Sequence, residues 1–131
     1  MTQRDDARPV DRDEIRLSLP ALFPYGRVAR LAVTGLASRN GYSYDDVEDL
    51  RIAIGEVFGV LVPSEAREDR LELTCVLLPD ALDITAARSP AGSVPRVTEL
   101  SRQILDAVVD EAVIDEDAGR IRVVKVLRSG T

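Results

Sequence analysis

The stretch SRNGYSYDDVEDLRIAIGEVFGVLV, residues 38–62, holds a helix together with its start and its stop. Asn40-Gly41 ends the segment before it, because glycine takes the left-handed conformation at a helix terminus without a Cβ penalty. Ser43 is placed to cap a new helix, and Asp45 and Asp46 suit its positive end. Val47, Leu50, Ile54, Val57, Phe58 and Leu61 then recur at helical spacing as one apolar stripe, and Pro63 stops the run. From Ile52 to Val62 only Glu56 is charged. Ile52, Gly59 and Val60 fall with Glu56 on the side away from the main stripe, at about 100° per residue. This helix is therefore expected to be covered twice, once by a sheet and again by a loop, a ligand or a partner. In one reading the loop RSPAGSVP, residues 88–95, folds over this side and Glu56 is solvated at its edge. In the other, Glu56 is the polar group of a pocket or partner site.

The segments on either side complete the fold. Ile15, Leu17 and Leu19 alternate with Arg16 and Ser18 as a strand. A helix follows from Pro24 to Arg39, with Val28, Leu31, Ala32, Gly35 and Leu36 as its apolar stripe. Leu71, Leu73, Cys75 and Leu77 alternate as a second strand, Pro79-Asp80 turns the chain, and Leu82, Ile84 and Ala86 return as a third. Cys75 reads as a buried thiol. A third helix is predicted over Val97 to Val113, with Leu100, Ile104, Ala107 and Val108 on one face, and a last strand over Ile121 to Leu127. The order β-α-α-β-β-α-β predicts an α+β two-layer sandwich, a mixed β-sheet with helices on one face. Residues 1–13 read as a flexible arm, 14–128 as a single domain and 129–131 as a tail.

Composition narrows the function. The 131 residues suit one domain, and 45% hydrophobic content with 4% aromatic and no Trp predicts a core of Leu, Ile, Val and Ala. A net charge of −6 argues against nucleic acid and anionic membranes, whose binding needs clustered Lys and Arg. With no His and one Cys, a His triad, a His metal site and an intramolecular disulfide are all excluded. No run approaches the ~20 apolar residues of a membrane span, and the polar start MTQRDDARPVDRDE shows no signal peptide. A cytoplasmic location follows as an expectation.

At residues 38–62 the chain resembles the central helix of bacterial anti-sigma serine kinases of the GHKL ATPase superfamily. That helix has an Asp-rich start followed by L-[KR]-x-A-[VI]-x-E-[AV]-x-x-N. RVARLAVTGLA resembles the first helix of the family, and TELSRQILDAVVDEAVIDEDAGRIRVVK its last helix and strand. The similarity spans about residues 14–127. It implies a GHKL fold, a protein that sequesters a sigma factor, and phosphorylation of a STAS-type antagonist with ATP and Mg²⁺. Glu56 matches the family's general base, but its Mg²⁺-binding Asn falls on Val60, which has no oxygen to offer a hard cation. The D-x-G-x-G motif falls on residues 88–92. Arg88 replaces the adenine-binding Asp and cannot accept a hydrogen bond, Pro90 replaces the first Gly, and only Gly92 remains. The second glycine-rich motif is missing, and Ser89 to Val97 is too short for a full lid. These losses imply a reduced lid, no ordinary ATP·Mg²⁺ cofactor, no metal and no confident catalytic residue.

The resemblance also places a sigma contact at Arg30, with Arg27 sharing the surface, and implies a homodimer. By themselves both arginines read as solvated helix residues. Asp45, Asp46, Glu48 and Asp49 read as helix-start acids, whereas Asp110, Glu111, Asp115, Glu116 and Asp117 form a patch able to steer a basic partner. Three functions stay open. One is a non-catalytic anti-sigma-like binding protein. The second is an active serine-protein kinase with an altered pocket. The third is a small-ligand sensor using Arg88 as an anion contact.

Overall fold

A computed structural model describes residues 13–92 and 97–128. Residues 1–12 and 129–131, which carry most of the expected arm and the tail, and 93–96, within the expected loop, lie outside the described residues. The elements are β1 (Asp13–Ala21), α1 (Tyr25–Arg39), α2 (Tyr44–Leu61), β2 (Ala66–Leu78), β3 (Ala81–Ser89), α3 (Glu99–Val108), β4 (Glu111–Asp115) and β5 (Arg120–Val126).

The strands form one sheet in the order β1-β2-β3-β5-β4. Every pairing is antiparallel, so the expected mixed sheet is corrected to an antiparallel one. Its inner face carries Leu19, Leu71, Leu73, Cys75, Ile84, Ala86, Ile121 and Val123, all buried under the helices. The opposite face carries polar and charged residues such as Glu72, Asp83 and Arg122. Burial pushes the Cys75 thiol up to about 11, in keeping with an inert core cysteine.

The central helix forms as the sequence requires. The Ser43 side chain accepts from the Asp46 amide at 3.1 Å, and the helix buries Leu50, Ala53, Ile54, Val57, Phe58 and Leu61. Each full burial of such a large side chain contributes roughly 1.5–3 kcal/mol. Before it, Gly41 at φ +88° turns the chain out of α1.

Helix α1 forms where expected but is rotated. It buries Gly26, Ala29, Val33 and Ala37, while Val28, Leu31 and Gly35 of the expected stripe are exposed and Ala32 and Leu36 are half-buried. Small residues won because α1 lies close on α2: a Cβ on Gly26 would stand 3.3 Å from the Phe58 ring.

The third helix is shorter than predicted. It ends at Val108, Val109 is extended, and Glu111–Asp115 form the edge strand β4 that the sequence reading missed. Val108, Val109, Val113 and Ile114 supply the β-branched content that favours a strand, and Gly119 at φ +65° serves the β4–β5 turn. Leu105 is the buried residue of α3, and Leu100 is exposed, so the predicted helix face is also corrected.

Lys125 on β5 is 6% exposed, the one charged residue in the described core. Its Nζ donates to Asp49 at 3.0 Å and to the Val108 carbonyl at 2.8 Å, and lies 3.5 Å from Asp46. It thereby ties the sheet to the start of α2 and the end of α3. The Tyr42 hydroxyl donates to the Lys125 carbonyl at 2.8 Å. Burial, reinforced by the charges of Asp46, Asp110 and Asp80, pushes the Tyr42 phenol up to about 12.

Two outcomes follow. Lys125→Met strands two carboxylates and a carbonyl, and urea denaturation is expected to show a loss of about 3 kcal/mol. The neutral Tyr42 phenol stabilises the fold fully below its unfolded value near 10, and that contribution is lost as pH rises through about 12. Absorbance titration should show a late tyrosinate step near pH 12 that Tyr42→Phe removes.

Candidate functional site

Helices α2 and α3 flank an open cleft of about 360 Å³. Glu56, Gly59, Val60 and Pro63 form one wall, and Val97, Thr98 and Ser101 at the start of α3 form the other. The expected second cover of α2 is corrected: Ile52 is 47% exposed and Gly59 is exposed, and of that set only Glu56 and Val60 are half-buried, at the cleft beside α3.

The start of α3 is held by a chain of hydroxyls. Thr98 Oγ1 accepts from the Ser101 amide at 3.1 Å and donates to Ser101 Oγ at 3.1 Å. Ser101 Oγ in turn donates to Glu56 Oε2 at 2.5 Å. Glu116 from the β4–β5 turn accepts the Val97 amide at 2.6 Å. Thr98 and Ser101 were missed by the sequence reading, although Thr-x-x-Ser ahead of a helix is a capping pattern. Their link to Glu56 across 45 positions had no sequence signal.

Arg88 does not line the cleft. It lies on β3 opposite Leu71, turned toward the end of α2. Its Nη2 and Nε donate to Asp69 Oδ2 at 2.7 and 3.2 Å, and its Nη1 to the Leu61 carbonyl at 2.9 Å. That carbonyl belongs to the last turn of α2, where a cation is favourable. The guanidinium is thus engaged inside the protein. Gly92 is exposed and away from the cleft lining.

On α1, Arg27 is exposed and Arg30 half-buried, its guanidinium lying beside Gly26 and Gly55. Around them Phe23 is 56% and Leu31 66% exposed, with Val28 also exposed. The acidic groups are mostly paired. Asp110 accepts the Val126 amide and pairs with Arg128, which holds its carboxyl below the usual carboxylate range. Glu111 pairs with Arg122, Asp115 with Arg120 and Glu116 with Arg102. Of the expected steering patch, Asp110, Glu111, Asp115 and Glu116 are thus engaged in strand and turn ion pairs. A smaller hollow of about 140 Å³ by the β2–β3 turn, between Leu36, Tyr42, Leu82 and Leu127, takes none of the sequence-derived site residues.

No helix among the described residues is long and apolar enough to cross a membrane, and no cluster of metal-ligating side chains is found among them.

Comparison with known proteins adds the following. No family model matches the sequence. The chain is 40% identical over 77 residues to serine-protein kinase RsbW of Bacillus cereus strain B4264, covering 57% of this chain and 48% of the relative. For such relatives the match spans about half their length. It is 31% identical over 136 residues to serine-protein kinase RsbW of Bacillus licheniformis strain ATCC 14580, covering 82% of this chain and 81% of the relative. The crystal structure of the RsbU and RsbW domains of a Mycobacterium tuberculosis protein superposes with a TM-score of 0.63 at 17% identity, over 88% of this chain and 32% of that one. This last likeness concerns the fold.

Arg88→Met is expected to cost about 1–2 kcal/mol, since it removes two carboxylate bonds and one to a helix-end carbonyl. A double-mutant cycle with Asp69→Asn, followed by chemical denaturation, should give a coupling above about 0.5 kcal/mol.

Proposed function

This chain belongs to the serine-protein kinase RsbW family, and from that premise we propose that it is an anti-sigma regulator acting by protein–protein contact, without normal ATP·Mg²⁺ binding. The observation that carries the reading is the orientation of α1. This helix buries its glycine and alanines and turns Val28 and Leu31 outward, with Phe23 just ahead of it, beside Arg27. Exposed large apolar residues grouped beside a cation suit a partner surface, because contiguous apolar patches rimmed by polar groups mark protein–protein sites and Arg is enriched among the residues that carry interface energy. In this reading the surface holds a sigma factor, with Arg27 and Arg30 as contacts, and a STAS-type antagonist releases it by competition. The same reading includes a homodimer.

The loss of nucleotide binding is part of the proposal. Val60, in the position of the family's Asn, brings no oxygen to the cleft beside Glu56. Arg88, in the position of the adenine-binding Asp, is committed to Asp69 and to the Leu61 carbonyl. Such a commitment also argues against Arg88 as a contact for a small anionic ligand. Glu56 donates nothing and already accepts from Ser101.

The test has two parts. Calorimetric titration with ATP and Mg²⁺ is expected to show no binding at millimolar nucleotide, whereas micromolar binding with phosphate transfer to an antagonist would move the kinase reading to first place. Titration of purified sigma factors is expected to give a complex that Leu31→Asp weakens at least tenfold, about 1.4 kcal/mol. Unchanged affinity in that variant would remove α1 from the interface.

A further inference from the structure

We propose that the cleft between α2 and α3 takes a small organic cation, a primary ammonium on a short aliphatic body, in place of a nucleotide. The proposal rests on the reading that ATP·Mg²⁺ binding is lost.

Charge decides the sign of the ligand. Glu56 is the single charged side chain among the described residues lining the cleft. Its Oε2 accepts from Ser101, and its Oε1 has no hydrogen-bond partner among the described residues. A carboxylate with one oxygen fixed and the other available is a preorganised acceptor for an ammonium group, which carries three donors and no acceptor. The hydroxyls of Thr98 and Ser101 stand beside it as further acceptors.

The cationic groups near the cleft are already paired, and two of the backbone amides at the start of α3 are bonded within the protein, leaving those of Glu99 and Leu100 as the available donors. The start of a helix normally offers free amides, but the Ser101 amide is capped by Thr98 and the Val97 amide by Glu116. The Arg102 amide is bonded to the Thr98 carbonyl, and its guanidinium lies 3.5 Å from Glu116. Arg88 faces Asp69. A phosphate entering the cleft would meet Glu56 without a compensating cation from any of these groups.

Shape and surface decide the body of the ligand. Val60, Pro63 and Val97 present apolar groups, and the space beside Gly59 is open, with no atom within 4 Å of where its Cβ would stand. A volume of about 360 Å³ falls at the lower end of small-molecule sites. It accommodates a branched alkyl group of a few carbons.

The test uses the full chain and isobutylammonium chloride, with isobutanol and isovalerate as neutral and anionic probes of similar shape, followed by amide chemical shifts. The expected result is saturable shifts at Val60, Val97 and Ser101 with the amine. Binding of isobutanol is expected to be at least tenfold weaker, and isovalerate should leave these shifts unchanged. Glu56→Gln keeps an acceptor for Ser101 and should weaken amine binding at least tenfold. Equal affinity for amine and alcohol would overturn the proposal without need of any variant, as would unchanged binding in Glu56→Gln. ATP·Mg²⁺ is titrated in the same buffer. Its binding in the cleft would sink the premise, whereas silence from both ATP and the amine would sink the cation proposal alone.

Discussion

A single buried ammonium joins the layers of this protein. Lys125 leaves the sheet on β5 and ends among Asp46, Asp49 and the carbonyl of Val108. A buried charge is costly unless its donors are satisfied, so this arrangement tolerates one geometry of the three elements it joins. It fixes the start of α2 against the sheet and the end of α3 against both. The backbone of the same residue receives the Tyr42 hydroxyl, which anchors the turn between α1 and α2. Greasy contacts alone would hold these helices with less positional definition, because apolar burial is non-directional.

With the end of α3 held by Lys125, its start is held by Ser101 on Glu56. The helix is therefore pinned at both ends onto α2, and the cleft between them has defined walls. Arg88 closes the far end of α2 by joining the Leu61 carbonyl to Asp69. Protein groups thus answer one another at positions where the family resemblance implies groups that face a ligand. We read this as a site whose polar ends have turned inward, leaving α1 as the outward-facing surface. Gly26, Ala29 and Ala37 allow α1 to sit close to α2 with little side-chain volume between them.

Much of the fold was legible along the chain. Ser43, Asp45, the stripe from Leu50 to Leu61 and Pro63 fixed α2, because capping, dipole and period agree at each position. Leu71 to Leu77 and Leu82 to Ala86 fixed the central hairpin by alternation. The rotation of α1 was not legible, since hydrophobicity weights large side chains, while close helix packing selects small ones. Nor was β4, which continues a helical pattern for several residues before its β-branched content decides. In the site, Glu56 and Val60 were legible by spacing and resemblance, and the structure brings them into one cleft. Arg27 and Arg30 were legible as members of α1, but not the placing of the Arg30 guanidinium beside Gly26 and Gly55.

By itself the sequence determined the two long helices, the central hairpin and the first and last strands, that the core is aliphatic, and that His chemistry is absent. These depend on residue type and local period, which neighbours along the chain suffice to define. Only the tertiary structure decided that Arg88 answers Asp69, that Ser101 answers Glu56 and that Lys125 lies buried between two helices. Each of these contacts joins residues 17 or more positions apart. Their partners are chosen by strand register and helix docking, which no local spacing encodes.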